Sequence, residues 1–161
     1  MEPEKEISFF DLTRKLTRQN IRYLIIGRRA VILYGGPVLT ADHDFWIHPD
    51  DRIKTLSLLE ELGFELSHLP NNQRPIVTGF SGMKKYDLFF QGSVKNIEGE
   101  TIEFEECYGS SVIKEDPAAR IRFRIPSIKD LIRLKKVRKP NAKDEQDIEY
   151  LLRAKRLFKN S

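Results

Sequence analysis

Two aspartates, Asp42 and Asp44, stand two positions apart at the start of an apolar, aromatic segment that ends at Ile47. Alternate side chains of a β-strand share one face, so both carboxylates would point the same way, roughly 6.5–7 Å apart along the strand. His43 and Phe45 would point to the other face, toward a core. Two like charges this close repel unless a cation or water offsets them, and Mg²⁺ prefers oxygen ligands together with substrate phosphates. The pattern favours a divalent-metal site, with solvated strand-end aspartates as the alternative.

A third aspartate, Asp87, lies inside a second apolar segment that runs from Tyr86 to Phe90. A lone ionised carboxylate in a buried strand is costly. If this strand lies beside the first, Asp87 completes a cluster of three carboxylates that could hold one or two metal ions. Such a cluster could also orient a hydroxyl for in-line attack on phosphorus. The alternative is a buried ion pair between Asp87 and an arginine.

The elements that must position these residues follow from the periodicity of the apolar side chains. Helices are predicted over residues 8–18, 29–34, 51–62 and 127–137 and from 141 to near the end, and strands over 22–26, 42–47, 75–80, 86–91, 101–108 and 121–125. Ser8 and Ser127 are the predicted helix caps. Ile53, Leu152 and Phe158 are expected to face inward. The prediction is an α+β fold with a mixed β-sheet, flanking helices and a C-terminal helical pair.

Length and composition limit the class of protein. The chain has 161 residues, 40% of them hydrophobic and 32% charged, which is typical of one globular domain spanning residues 1–161. The single cysteine, Cys107, excludes an intramolecular disulfide and fits a reducing compartment. No membrane span or signal peptide is recognisable. We therefore expect a cytoplasmic protein with no membrane partner.

Charge is unevenly distributed along the chain. Residues 120–161 hold 14 Lys and Arg against 5 Asp and Glu, whereas the remaining 119 residues hold 14 against 19. A basic end on an acidic body suggests a surface for phosphates or nucleic acid. Solvated helices rich in Lys and Arg are the alternative.

The N-terminal half resembles the minimal nucleotidyltransferases of the DNA-polymerase-β superfamily. The similarity is carried by the segment Tyr23–Ala30, the glycines Gly35 and Gly36, Thr40, and the Asp-x-Asp pair that begins at Asp42. That family pattern is a strand, a Gly-Gly or Gly-Ser turn, a short helix, and then Arg-x-Thr-x-Asp-x-Asp. The resemblance implies a nucleotidyltransferase fold.

The C-terminal part is similar to the ending of AbiEii-like and antitoxin-type members of the same superfamily. The matching residues are the segment Ile125–Lys135, then Lys143 with Asp144, and Asp147 with Ile148. Lys135 and Lys143 stand where the family's helical end carries basic residues. The favoured alternative is that these lysines support the fold or face solvent.

The resemblance also implies roles for individual residues. Asp42 and Asp44 would bind the Mg²⁺ or Mn²⁺ ions that carry a nucleoside triphosphate. Asp87 would ligate the catalytic metal and help activate the attacking hydroxyl. Gly27 would begin the turn whose backbone approaches the phosphates, and Thr40 belongs to the same nucleotide-binding motif.

Two positions depart from the family pattern. Arg28 replaces the second small residue of the glycine turn, where it either obstructs the triphosphate or contacts a phosphate itself. Val38 replaces the arginine of Arg-x-Thr and removes a cation.

Two functions therefore stay open. The first is transfer of a nucleoside monophosphate from an NTP to a hydroxyl of RNA such as a tRNA end, of a protein, or of a small molecule. The second is a weakly active or inactive binding module, either an antitoxin held against a toxin or an RNA-binding protein. Oligomeric state is open in both.

Overall fold

The computed structural model describes residues 6–67 and 74–159. Its helices are α1 Phe9–Arg18, α2 Gly27–Leu33, α3 Arg52–Glu61, α4 Phe104–Gly109, α5 Ile128–Leu134 and α6 Ala142–Lys159, and a 3₁₀ turn spans Pro49–Asp51. Its strands are β1 Tyr23–Ile26, β2 Asp42–Ile47, β3 Glu65–Leu66, β4 Ile76–Ser81, β5 Lys84–Phe89, β6 Ser93–Lys95, β7 Thr101–Glu103, β8 Val112–Asp116 and β9 Ile121–Ile125.

The central sheet is mixed, as expected. Its five strands lie in the order β1-β2-β5-β4-β3. The β2–β5 pair is parallel, whereas β1–β2, β4–β5 and β3–β4 are antiparallel. Two small hairpins, β6–β7 and β8–β9, complete the strands. The α+β class is confirmed.

The back face of the sheet, which is the face opposite the aspartates, carries the larger core. Alternation puts Tyr23, Phe45 and Leu88 there, and α1 and α3 cover them with Leu12, Leu59 and their neighbours. Helix α1 begins where the sequence indicates, because the Ser8 hydroxyl accepts a hydrogen bond of 3.1 Å from the Asp11 N–H. Ile53 does not join this core and is 76% exposed. The prediction that it faces inward is therefore wrong.

The front face carries a smaller core that includes Trp46, Phe104 and Cys107. The predicted strand over 101–108 ends at Glu103, and the chain continues as helix α4. Phe104, Cys107 and Tyr108 follow the i, i+3, i+4 spacing of a helix, although Ile102 and Phe104 alone fit strand alternation. The strand prediction is wrong from Phe104 onward because one short segment satisfies both periods.

The C-terminal helices α5 and α6 pack against each other, and α6 also packs against α2. Ser127 caps α5 by accepting a hydrogen bond of 3.1 Å from the Asp130 N–H, as predicted. Leu151 of α6 is buried, but Leu152 is 42% exposed, so its predicted burial is wrong. The Phe158 side chain lies outside the described part. Among the described helices, none combines the length and apolar character that a membrane crossing requires.

Candidate active site

The two strands that carry the aspartates are neighbours in the sheet. Strands β2 and β5 run parallel, with Asp44 directly opposite Asp87 and Asp42 opposite Lys85. Residues in register on adjacent strands share a face, so all three carboxylates belong to the front face. They line one wall of a cleft of about 560 Å³. The predicted convergence of Asp87 with the Asp42–Asp44 pair is thus present in the sheet.

Gly27 is the residue that lets the chain turn beside Asp44. Its φ is +69°, which lies in the left-handed region that glycine adopts without steric cost. A Cβ at this position would also overlap the Asp44 carboxylate. The turn therefore requires glycine for two independent reasons. This observation agrees with the role predicted for Gly27 as the residue that begins the phosphate-approaching turn, a role that stays a prediction.

Asp44 is the aspartate of the site whose ionised form is electrostatically unfavourable. Burial, and after it the neighbouring carboxylates of Asp87 and Asp42, together raise the pKa of its carboxyl group to about 6. Lys135 and Lys85 act in the opposite direction but do not restore the ordinary value. An ionised Asp44 is thus held at a cost that a bound cation would relieve.

Asp87 has partners that fix its orientation. The Thr78 hydroxyl donates a hydrogen bond of 2.7 Å to Asp87 Oδ1, and the Lys85 ammonium lies 3.6 Å from Asp87 Oδ2. The predicted alternative of a buried pair with an arginine is wrong, because the cation is a half-exposed lysine. The sequence contained a signal for Lys85, since residues two apart in a strand share a face.

Asp42 is exposed at the mouth of the cleft. Its N–H donates a hydrogen bond of 3.1 Å to the Thr40 hydroxyl, so Thr40 orients the start of β2. The structure gives Thr40 this structural contact, and its predicted nucleotide contact stays a prediction. Within the described ranges, no group of three or more His, Cys, Asp or Glu side chains stands in metal-holding geometry. The three aspartates share a cleft wall, but their carboxylates are not close enough together to form a preformed metal-coordination site.

The donor set nevertheless fits a hard divalent cation. It consists of carboxylate oxygens alone, which suits Mg²⁺ or Mn²⁺. Two of its members stand in register on adjacent strands, and the pKa of one is raised by the other. Mutual repulsion of this kind is what a divalent ion between the carboxylates would offset.

Arg28 points away from this cleft wall. Its Nε donates a hydrogen bond of 3.1 Å to Asp147 Oδ1, and its Nη2 donates one of 2.7 Å to Gln146 Oε1. Both acceptors belong to α6. The guanidinium therefore ties the glycine turn to the C-terminal helix rather than filling the turn, so the obstruction considered from sequence is absent in this arrangement.

Lys135 lies on the cleft wall opposite the aspartates, together with Arg138. Its ammonium is 2.9 Å from Asp147 Oδ2 and 3.9 Å from Asp144 Oδ1. Lys135 thus supports the fold and also influences the cleft electrostatically. Lys143 is exposed on α6.

The other lining residues of the cleft are mostly apolar, apart from Gln91 and Asp144. Trp46, Phe89 and Leu134 are among the lining side chains. The Trp46 indole is fixed by a hydrogen bond of 2.6 Å to the Gln91 carbonyl and by an edge-to-face contact of 5.3 Å with Phe104. An apolar cleft with a few convergent polar groups is typical of a small-molecule site.

The fold is that of nucleotidyltransferases. The structure is similar to that of the lincosamide antibiotic adenylyltransferase LnuA bound to lincomycin, with a TM-score of 0.67 and 13% identity over 92% of this chain and 98% of that chain. It is also similar to the antibiotic-resistance factor ANT(2")-Ia. The complex of that protein with adenylyl-2"-tobramycin gives a TM-score of 0.64 and 15% identity over 89% of this chain and 84% of that one, and its solution structure gives 0.60. No protein-family model and no curated protein sequence matches the chain.

Proposed function

We propose that this protein is an enzyme that transfers a nucleoside monophosphate from an NTP to a hydroxyl group of a small molecule. The observation that carries the proposal is the register of Asp44 against Asp87, with Gly27 turned against the same carboxylate. The cleft volume of about 560 Å³ falls within the range of small-molecule sites. LnuA is a lincosamide antibiotic adenylyltransferase, and ANT(2")-Ia is seen in complex with adenylyl-2"-tobramycin, so both neighbours support an acceptor of this size.

Asp42, Asp44 and Asp87 would hold Mg²⁺ or Mn²⁺ in this enzyme. A divalent ion bound there would neutralise charge on the triphosphate and on the leaving pyrophosphate. The protein's own contribution is positioning. Lys135 and Arg138 supply positive charge on the facing wall of the cleft, where they would attract the triphosphate.

Asp87 is the residue best placed to orient the acceptor. Thr78 and Lys85 hold its carboxylate at the cleft wall. In the proposed reaction the acceptor hydroxyl donates a hydrogen bond to Asp87, its oxygen attacks the α-phosphorus, and its proton passes to the carboxylate as pyrophosphate leaves. Charge development at phosphorus makes such positioning the main source of rate enhancement.

The direct test is transfer of label from α-labelled ATP, CTP, GTP and UTP in the presence of Mg²⁺. The acceptors are lincomycin and tobramycin, with tRNA and a mixture of candidate partner proteins as separate arms. Label on a small molecule supports the proposal, and label on RNA or protein alone would replace its acceptor class. Asp44→Asn and Asp87→Asn should each reduce transfer at least about 10³-fold, a loss typical of a removed catalytic group. Asp50→Asn is the matched control, because the Asp50 side chain is 80% exposed.

The binding-module hypothesis, in which the chain acts as an antitoxin-type or RNA-binding protein, rests on Arg28 and Val38. Arg28 is engaged by α6 rather than placed in the cleft. Titration calorimetry with each NTP, with and without Mg²⁺, separates the two functions. An enzyme binds an NTP only when Asp44 is present. A binding module would retain its RNA or protein partner in the Asp44→Asn variant and would show no label transfer.

A further inference from the structure

A second cavity lies on the back of strand β2, on the face opposite the aspartates. Its volume is about 770 Å³, and its walls come from α1, α2 and the β8–β9 hairpin. Phe9, Arg29, His43, Lys84 and Phe123 are among the lining residues. The aspartates of the front cleft are not among them, so the two cavities are separate.

Arg29 is a half-buried cation of this cavity, and among the described residues no carboxylate forms an ion pair with it. One Nη2–H donates a hydrogen bond of 3.2 Å to the Thr40 carbonyl, and the guanidinium carbon stacks 5.3 Å from the Phe9 ring centroid. Its Nε is buried, and no hydrogen-bond partner for it exists among the described residues. Burial lowers the pKa of this guanidinium below its ordinary value. A desolvated cation with an unused donor is costly and is characteristic of an anion site.

A second unused polar atom belongs to His43, which also lines this cavity. The residue is only 7% exposed, and its Nδ1 is buried with no partner in the described part of the chain. The ring is held in place by stacking on Phe9, at 5.0 Å, and on Tyr86, at 4.9 Å. In the tautomer that carries a proton on Nδ1, this fixed ring offers a hydrogen bond to whatever occupies the cavity.

The remaining walls define the shape and charge of the occupant. Lys84 and Lys114 add positive charge, whereas Glu115 and Asp116 stand on the hairpin. The three cations thus outnumber the two acids. The aromatic side chains of Phe9 and Phe123 stack at 5.4 Å and supply an apolar wall.

We propose that this back cavity is a binding site for a small organic anion with a planar apolar body. The anionic group accepts hydrogen bonds from Arg29 Nε–H and His43 Nδ1–H, and Lys84 adds charge. The apolar body packs against the aromatic wall. Carboxylates and phosphate monoesters share this chemistry, and the test distinguishes them.

The test is NMR titration of the full chain, observing the Arg29 Nε–H and the His43 ring signals. The probes are benzoate and phenyl phosphate, with inorganic phosphate and benzyl alcohol as the anion-only and body-only comparisons. We expect saturable shifts with benzoate or phenyl phosphate, and at least about tenfold weaker binding of both comparison compounds. No saturable shift with either probe, or equal affinity for benzyl alcohol, would overturn the proposal.

Variants locate the binding. Arg29→Gln and Lys84→Gln should each weaken probe binding, the former by about tenfold or more because a charge-assisted hydrogen bond is lost. Arg122→Gln makes the same charge change at an exposed position of β9 and should leave the affinity unchanged. Unchanged affinity in both Arg29→Gln and Lys84→Gln would place the anion elsewhere.

Discussion

Two aspartates, the half-buried Asp44 and the buried Asp147, stand in opposite electrostatic surroundings. Asp147 has a side chain only 2% exposed, with Arg28 Nε at 3.1 Å and Lys135 Nζ at 2.9 Å. Asp44 has no cation within ion-pair distance in the described ranges, and its nearest charged influences include Asp87 and Asp42. A buried carboxylate with two cations stabilises the arrangement of the helices. One that faces other carboxylates costs stability and is available to a ligand.

The largest expected change in unfolding free energy follows substitution of Asp147. Asp147→Asn leaves Arg28 and Lys135 without their shared charged partner, although Lys135 keeps Asp144 at 3.9 Å. Removing one partner of a buried ion pair costs about 3 kcal/mol of unfolding free energy. Urea unfolding measures the loss. Glu149→Gln, on the same helix but 60% exposed, is the control and should change stability by less than about 0.5 kcal/mol. A loss below 1 kcal/mol at Asp147, about a third of that expected, would mean that the pairing is weak.

Asp44→Asn should raise the free energy of unfolding, whereas Asp147→Asn lowers it. The pKa of this carboxyl is about 6 in the folded protein, against 3.8 as the ordinary value. The folded state therefore holds its proton more tightly, and stability is lost as pH rises between these values. At pH 7.5 without divalent ions, the neutral amide should raise the unfolding free energy by up to about 3 kcal/mol.

The pH dependence provides the check on Asp44. The gain from Asp44→Asn should disappear by about pH 4, where the wild-type carboxyl is protonated in the folded state. Urea unfolding at both pH values measures this difference. A gain of the same size at pH 4 would show that packing, not charge, separates the two proteins.

Magnesium should stabilise the wild-type protein through the same carboxylate. At ten times its dissociation constant, a ligand bound only to the folded state adds about 1.4 kcal/mol. Thermal unfolding with and without Mg²⁺ should show this increase in wild type and Asp50→Asn, and not in Asp44→Asn. Equal stabilisation in all three proteins would remove the metal role from the aspartates.

The smallest expected change in unfolding free energy is that of Arg28→Gln. Asp147 keeps Lys135, so the loss should be about 1 kcal/mol, less than for a fully broken pair. Because the guanidinium is engaged by α6, NTP affinity measured by calorimetry should change less than about twofold, corresponding to under 0.5 kcal/mol. A larger fall in affinity would assign Arg28 the phosphate contact that its place in the motif suggests.

The sequence by itself determined what depends on local periodicity and local hydrogen bonds. Alternation correctly placed Asp42 and Asp44 on one face of Asp42–Ile47 and His43 on the other, because side chains of a strand alternate in any context. Ser8 and Ser127 were identifiable as caps, because a cap bonds to an N–H only three residues away. These features needed no knowledge of distant residues.

Only the tertiary structure decided which distant residues meet. The parallel pairing of β2 with β5 sets Asp87 opposite Asp44, and no local period encodes which strands become neighbours. The contact between Arg28 and Asp147 spans 119 positions. From the sequence, Arg28 could only be predicted to obstruct the triphosphate or to contact a phosphate, and its pairing with Asp147 could not be foreseen. The apolar residues at the start of the segment from Phe104 to Gly109 fit both the strand and the helix periodicity. In the structure this segment is a helix, and Phe104 packs against Trp46. Burial raises the pKa of Asp44 and leaves the Arg29 Nε without a hydrogen-bond partner among the described residues. This burial exists only once these distant contacts have formed.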